Sequence, residues 1–148
     1  MMPWGPSMYV KVMQSEHRVT ALKKAGRKFS APVDILGLID TGASISALDF
    51  NVIRRLDIPP RGSIAIHTPS TGTAYENRYT HDVCLVLGET ETTSLIITTP
   101  IIGIELASQG FYALLGRDVL RHCRLVYDGP QGSITLEYGF ERDAAGGV

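Results

Sequence analysis

Asp40-Thr41-Gly42-Ala43-Ser44 is the most informative stretch of the sequence, an acid followed by a hydroxyl residue, a glycine and two small residues. It follows a nearly unbroken apolar run over residues 33–39, which is the pattern of a buried β-strand. A carboxylate at the end of a buried strand is costly unless it has hydrogen-bond partners or a chemical task. Because Gly42 permits a sharp turn and its neighbours are small, the stretch predicts a carboxylate presented on a tight loop. The simpler alternative is a strand-to-turn junction in which Asp40 only accepts backbone hydrogen bonds.

Length and composition indicate one domain of ordinary globular character. The chain has 148 residues, of which 44% are hydrophobic and 20% charged, and its formal net charge is −1. This charge gives no indication of nucleic acid as a partner, and no apolar run approaches the roughly 20 residues that span a bilayer. Residues 1–6 lack the basic start and apolar core of a secretory signal, so a cytoplasmic location is expected.

Two cysteines, Cys84 and Cys123, both lie in apolar stretches. Two thiols make neither a zinc site nor a disulfide framework, so both are expected to be buried and free. The sequence predicts no metal and no cofactor.

The pattern along the chain predicts a mainly β domain over residues 8–140, between an N-terminal extension (1–7) and a disordered tail (141–148). Strands are predicted at 8–13, 18–22, 33–39, 63–68, 73–80, 82–87, 94–104, 111–115, 123–127 and 133–138. One short helix is predicted after the Asp40 loop, capped by Ser46 with Asp49 three residues later and ended by Pro59-Pro60. A second is predicted after Gly116. The basic residues around Gly26 predict either a solvated hairpin loop, which is favoured, or a basic patch.

The order of these segments resembles the retropepsin-like aspartic proteases, the single-domain class related to retroviral proteases. One motif is the Asp-Thr-Gly loop, here Asp40, Thr41 and Gly42, supported by Ala43 and Ser44. The other is the pair of apolar residues and the glycine that close a ψ-shaped loop behind the active site. Its residues here are Leu114, Leu115, Gly116 and Arg117. The resemblance covers residues 8–138 and implies an acid-protease half-barrel with a flap hairpin and one or two short helices, active as a two-fold dimer.

The resemblance implies that Asp40 is the catalytic residue of an aspartic endopeptidase. Such enzymes need two carboxylates that share one proton, and this chain has a single Asp-Thr-Gly. The second Asp40 must therefore come from an identical subunit across a two-fold axis. The partners implied are a second copy of the chain and a peptide or protein substrate, without nucleic acid or membrane. The flap tip is assigned to Thr68, Pro69, Ser70, Thr71, Gly72 and Thr73.

One departure from the family concerns Arg117. Retroviral members carry an aspartate two residues after the motif glycine, and it pairs with this arginine. Here that position is Ser44, as is often the case in cellular and bacterial members. Arg117 is therefore expected to pair with another carboxylate, for which Asp118 and Asp49 are the candidates, and the sequence leaves its partner open.

Two alternatives to the protease remain open. The first is a catalytically silent module of the same fold that dimerises or binds peptides. The second is an unrelated all-β binding domain in which Asp40 is structural. The sequence leaves open the substrate, the pathway, processing from a precursor and the strands of the dimer interface.

Overall fold

The computed structural model describes residues 5–67, 75–88 and 94–139. The strands in these ranges are β1 (Ser7–Gln14), β2 (Val33–Ile39), β3 (Ala47–Asp49), β4 (Gly62–Ile66), β5 (Glu76–Leu87), β6 (Leu95–Ile104), β7 (Ala113–Leu115), β8 (Arg124–Asp128) and β9 (Ser133–Glu137). The α-helices are α1 (Glu16–Lys24), α2 (Phe50–Arg55) and α3 (Arg117–Leu120), and Ala107–Gln109 forms a 3₁₀ turn. The predicted tail, 141–148, lies outside the described residues.

Six strands close into a barrel within the single chain. Their order is β1, β2, β7, β3, β6 and β5, and β5 pairs back onto β1. Strand β4 pairs with the first half of β5, and β8 and β9 form a separate hairpin. The expected mainly β fold is confirmed. None of the helices in the described ranges has the length and apolar character needed to cross a bilayer.

Two apolar clusters lie on opposite faces of the central strands. The larger one packs the barrel strands against helix α2 and includes Ile35, Leu48 and Leu115. The smaller one has a buried centre of Ala47, Ile102, Leu106 and Phe111. Because β3 sends Leu48 into one cluster and Ala47 into the other, it is buried on both faces. Each large aliphatic side chain removed from water contributes about 1.5–3 kcal/mol, so the strands that carry the Asp40 loop are firmly held.

Residues 16–24 form helix α1, so the strand predicted at 18–22 is wrong. The Ser15 side chain caps the helix by accepting a hydrogen bond from the Arg18 backbone N–H at 3.2 Å. Glu16 in the first turn and two lysines in the last complement the helix dipole. Of the basic residues near Gly26, Lys23 and Lys24 thus end the helix and Arg27 and Lys28 follow it, so no hairpin loop between two strands forms here.

The helix after the Asp40 loop is capped by Asp49, and the predicted cap at Ser46 is wrong. Asp49 Oδ1 accepts a hydrogen bond from the Asn51 N–H at 2.8 Å. Residues 47–49 form β3, which pairs with β6 and β7, so the helix begins only at Phe50. Strand β5 also joins the two strands predicted at 73–80 and 82–87 into one continuous element from Glu76.

Candidate active site

Strand β7 lies between β2 and β3 and supports the Asp40 loop from below. It runs parallel to β2, with Leu114 opposite Leu38, and antiparallel to β3, with Leu114 opposite Ala47. The Asp40 N–H donates to the Leu115 carbonyl at 3.0 Å, which continues the β2–β7 pairing by one residue. Residues 40–46 therefore cross the end of β7, from β2 on one side to β3 on the other.

Gly116, directly after β7, lies against the crossing loop. A Cβ atom at this position would lie 2.9 Å from the Ala43 carbonyl oxygen and 3.1 Å from the Ile45 carbonyl oxygen. Both neighbours are backbone atoms, which cannot swing aside as a flexible side chain can. The φ angle of Gly116 is −90°, so the position requires a glycine for space and not for backbone conformation. The apolar pair and glycine singled out in the sequence thus lie directly under the Asp40 loop.

The Asp40 carboxylate is half-buried and uses one oxygen to shape its own loop. Oδ1 accepts a hydrogen bond from the Gly42 N–H at 2.9 Å, and the Asp40 carbonyl accepts one from the Ala43 N–H at 3.2 Å. Oδ2 makes no hydrogen bond within the described part of the chain. A structural aspartate turn would show the same Oδ1 bond, so this bond fits both a catalytic and a structural role.

Arg117 binds the loop through two backbone carbonyls, and the expectation of an Asp118 or Asp49 partner is wrong. Its Nη1 donates to the Thr41 carbonyl at 2.8 Å, and its backbone N–H donates to the Ala43 carbonyl at 2.8 Å. Peptide carbonyls of the loop thus replace the missing acid at Ser44, which is itself exposed.

Ser46 and Asp118 form a hydrogen-bonded pair at the far end of the loop. Asp118 Oδ1 accepts from the Ser46 hydroxyl at 2.6 Å, and Asp118 Oδ2 accepts from the Ser46 N–H at 2.9 Å. The Ser46 hydroxyl oxygen in turn accepts from the Gly116 N–H at 2.9 Å. The sequence suggested Ser46 as a helix cap and Asp118 as a partner of Arg117. Their hydrogen bonds to each other, across 72 positions of the chain, are seen only in the structure.

Apolar side chains flank the loop on the outer face of the sheet. Leu38 and Leu114, which face each other across β2 and β7, are half-buried, as is Ile45 within the loop. Together with Ile66 and Ile104 they surround the smaller apolar cluster. The Asp40 loop therefore lies beside an incompletely covered apolar surface.

Asp49 is a second carboxylate close to the loop in sequence, but it is fully enclosed. It is 1% exposed. Its Oδ1 accepts a hydrogen bond from the Asn51 N–H, and its Oδ2 accepts from the Leu106 and Ala107 N–H groups at 2.8 Å each. Burial alone would raise the pKa of Asp49, but the three backbone hydrogen bonds outweigh it and lower the pKa. This carboxylate is fully occupied with holding α2 and the 105–107 segment together.

The described residues include two thiols, which are further candidate reactive groups. Burial raises the pKa of both cysteine thiols, Cys84 and Cys123, and both are free. Across residues 5–67, 75–88 and 94–139, no three His, Cys, Asp or Glu side chains converge in a way that could hold a metal ion. The flap tip assigned to residues 68–73 lies outside the described residues.

Surface cavities of about 600, 550 and 450 Å³ are present in the described part of the chain. The first lies between β1 and β9, and none of the three is lined by a residue of the Asp40 loop.

No protein-family model matches this chain, and no curated protein shows significant sequence similarity to it.

Proposed function

We propose that the protein is an aspartic endopeptidase whose active form is a two-fold homodimer, with one Asp40 from each subunit. The observation that carries the proposal is the Asp40 carboxylate itself, which is half-buried on a loop fixed by backbone bonds to Leu115 and Arg117. Its Oδ2 has no partner among the described residues, so one oxygen remains available for chemistry. Because one carboxylate per chain is half of the required pair, the site is completed by symmetry.

In the dimer, the two Asp40 side chains approach across the axis and share one proton, because two like charges a few ångströms apart cannot both ionise. The ionised carboxylate takes a proton from a water, whose oxygen attacks the scissile carbonyl carbon. The protonated carboxylic acid gives its proton to the carbonyl oxygen. Collapse of the tetrahedral intermediate breaks the C–N bond, and a proton passes to the departing amine. This chemistry needs no metal and no cofactor.

The apolar surface beside the loop supports a substrate with apolar side chains next to the scissile bond. Leu38 and Leu114 pack against the same apolar cluster as Ile45 of the loop, and both are only partly buried in the single chain. Covering such surface stabilises a complex by about 25 cal/mol for each Å² removed from water. Peptides with leucine or phenylalanine at the cleavage site should be the best substrates.

The Asp40→Asn variant tests the catalytic role. Asn keeps the size of the side chain, and its Oδ1 can still accept from the Gly42 N–H, so the loop should retain its shape. We expect cleavage of a mixed peptide library to disappear while the melting temperature stays within about 2 °C of wild type, because the substitution keeps the size of the side chain and its hydrogen bond to Gly42. Wild-type cleavage that persists unchanged in the purified variant would exclude Asp40 as a catalytic residue.

Mixed dimers test the symmetric site. When wild-type and Asp40→Asn chains are unfolded together in equal amounts and refolded, only about a quarter of the dimers carry two intact Asp40 residues. Activity per wild-type chain should therefore fall to about half of its value without the variant. If it does not fall, each chain works alone. A dimer seen by analytical ultracentrifugation without any cleavage would instead favour the silent module.

A further inference from the structure

We propose that Ser46 and Asp118 are positioning residues, which hold the far end of the Asp40 loop in the geometry needed for catalysis; this inference rests on the proposed function. The loop spans residues 40–46 and has two ends. Its first end is fixed by strand pairing, through the Asp40 N–H and the Leu115 carbonyl. Its last end is held by the Ile102 N–H, which donates to the Ser46 carbonyl at 3.1 Å, and by the Asp118 side chain, which accepts from the Ser46 N–H and hydroxyl.

Asp118 is built into this place as an acceptor of three hydrogen bonds. Its carboxylate accepts from the Ser46 hydroxyl, the Ser46 N–H and the Val119 N–H at 2.6, 2.9 and 2.9 Å. An O–H···O distance of 2.6 Å is in the range of a charge-assisted bond to an ionised carboxylate, about 2.5–2.7 Å. Asp118 is therefore the acceptor in all three of these hydrogen bonds and the donor in none of them.

Ser46 also forms a hydrogen bond with Gly116, the glycine that packs against the loop. With its proton committed to Asp118, the hydroxyl oxygen is oriented to accept from the Gly116 N–H. Ser46 is 1% exposed and Gly116 is buried, so water cannot replace the hydrogen bond between them without a local opening. Gly116 is also the residue against which the Ala43 and Ile45 carbonyls pack. A movement of the Ser46 side chain would thus displace Gly116, and with it the Ala43 and Ile45 backbone of the Asp40 loop.

The consequence for catalysis is geometric. Two Asp40 carboxylates that share a proton must lie within hydrogen-bond reach of each other. A substitution far from the reacting atoms that displaces them by about 1 Å can lower the rate on the order of 100-fold. Loss of the Ser46–Asp118 pair should therefore lower kcat much more than it changes KM, because the apolar contacts to substrate stay in place.

Asp118→Asn breaks the pair with almost no change of shape. An amide has one acceptor oxygen and an NH₂ group, so at least one N–H or O–H of Ser46 or Val119 would face another donor. Asp49→Asn is the matched control, since Asp49 also accepts three hydrogen bonds but none of them comes from the Asp40 loop. Ser46→Ala removes the hydroxyl from the other side, and Ser46→Thr restores it.

We expect kcat to fall by about 10- to 100-fold in Asp118→Asn and in Ser46→Ala. The double variant should lose little more than either single variant, because both substitutions break the same pair. Ser46→Thr, which keeps the hydroxyl, should retain part of the wild-type kcat. Asp49→Asn should lose more thermal stability but keep kcat within about twofold of wild type when assayed well below its melting temperature. If Asp118→Asn and Asp49→Asn both lose activity only in proportion to their loss of folded protein, the pair is merely structural and the proposal is wrong.

Backbone amide hydrogen exchange gives a readout that does not depend on proteolysis. In Asp118→Asn, the Gly116 and Ala43 amides should exchange at least about tenfold faster than in wild type, whereas amides in the middle of β5 should not change. If wild type cleaves no peptide, the proposed function fails, and this exchange still decides whether the pair fixes the loop. Unchanged exchange at both amides would overturn the positioning role in either case.

Discussion

Replacing Asp49 with asparagine should destabilise the protein through hydrogen bonds alone. The two side chains have nearly the same shape, so the change leaves the packing of the site intact. In wild type, Asp49 Oδ1 caps α2 through the Asn51 N–H, and Oδ2 accepts from the Leu106 and Ala107 N–H groups. An asparagine can present its oxygen to only one of these two sides.

The orientation that loses least sets the expected magnitude. If the amide oxygen keeps Leu106 and Ala107, the NH₂ group faces the Asn51 N–H, and losing a helix cap costs about 0.5–2 kcal/mol. The opposite orientation leaves the buried Leu106 N–H unpaired, at about 1–3 kcal/mol, and also the partly buried Ala107 N–H. The bonds that remain also lose the strength that the charge gave them. We therefore expect the free energy of unfolding to fall by about 2 kcal/mol, which lowers the melting temperature of a chain of this size by about 4–8 °C.

The loss should depend on pH with a defined sign. Backbone hydrogen bonds lower the pKa of Asp49 in the folded protein below the ordinary value of 3.8. A lowered pKa contributes stability that is fully present above the unfolded value and is lost as the pH falls through the folded value. The difference between wild type and Asp49→Asn should thus be constant from about pH 7 to pH 5 and shrink below about pH 4.

Urea unfolding followed by circular dichroism at several pH values measures this difference directly. The slope with urea concentration should be unchanged, because the variant exposes the same surface on unfolding. A difference below about 0.5 kcal/mol at neutral pH would refute the argument that the Asp49 carboxylate stabilises the fold through its three backbone hydrogen bonds. A difference that is as large at pH 3 as at pH 7 would refute its assignment to the charged form.

Two further predictions concern space and burial. Gly116→Ala should cost about 1–3 kcal/mol, because its Cβ would overlap the Ala43 and Ile45 carbonyls, whereas Gly129→Ala, whose Cβ meets only a tyrosine ring at 3.5 Å, should cost less than about 1 kcal/mol; equal melting temperatures for the two variants would show that the loop yields at Gly116. Cys84, which is 6% exposed and has its pKa raised by burial, should react with a thiol reagent at least about tenfold more slowly in the native protein than in urea, and equal rates would show that β5 opens readily.

The sequence was most informative where local chemistry and tertiary packing require the same residue. The apolar run over residues 33–39 predicted a central strand, and β2 covers the same range. Gly116 was singled out as part of a motif, and the structure gives it a steric reason in the backbone of the Asp40 loop. The mainly β fold followed from the many short apolar segments with turn residues between them.

The sequence was least informative where distant pairing chose between local options. Ser46 and Asp49 are both good helix caps, and the pairing of β3 with β6 and β7 moves the start of the helix to the later one. The β-branched residues near Arg18 favour a strand, but the cap at Ser15 and burial of little more than Leu22 make the segment a surface helix. The acceptors of Arg117 were not predictable, because backbone carbonyls leave no trace in side-chain patterns.

Asp40, Asp49 and Asp118 differ in how many hydrogen bonds their carboxylates accept. Asp49 and Asp118 each accept three hydrogen bonds from the described residues, whereas Asp40 accepts one at its side chain, from Gly42. A half-buried carboxylate with an unused oxygen contributes little to stability and still costs desolvation. The loss of stability should therefore be largest in Asp49→Asn and smallest in Asp40→Asn. The loss of peptide cleavage should be largest in Asp40→Asn and smallest in Asp49→Asn. Melting temperatures and kcat of the three variants, measured side by side, test this inversion. If stability and activity fall in the same order, Asp40 is one more structural aspartate and the catalytic proposal is wrong.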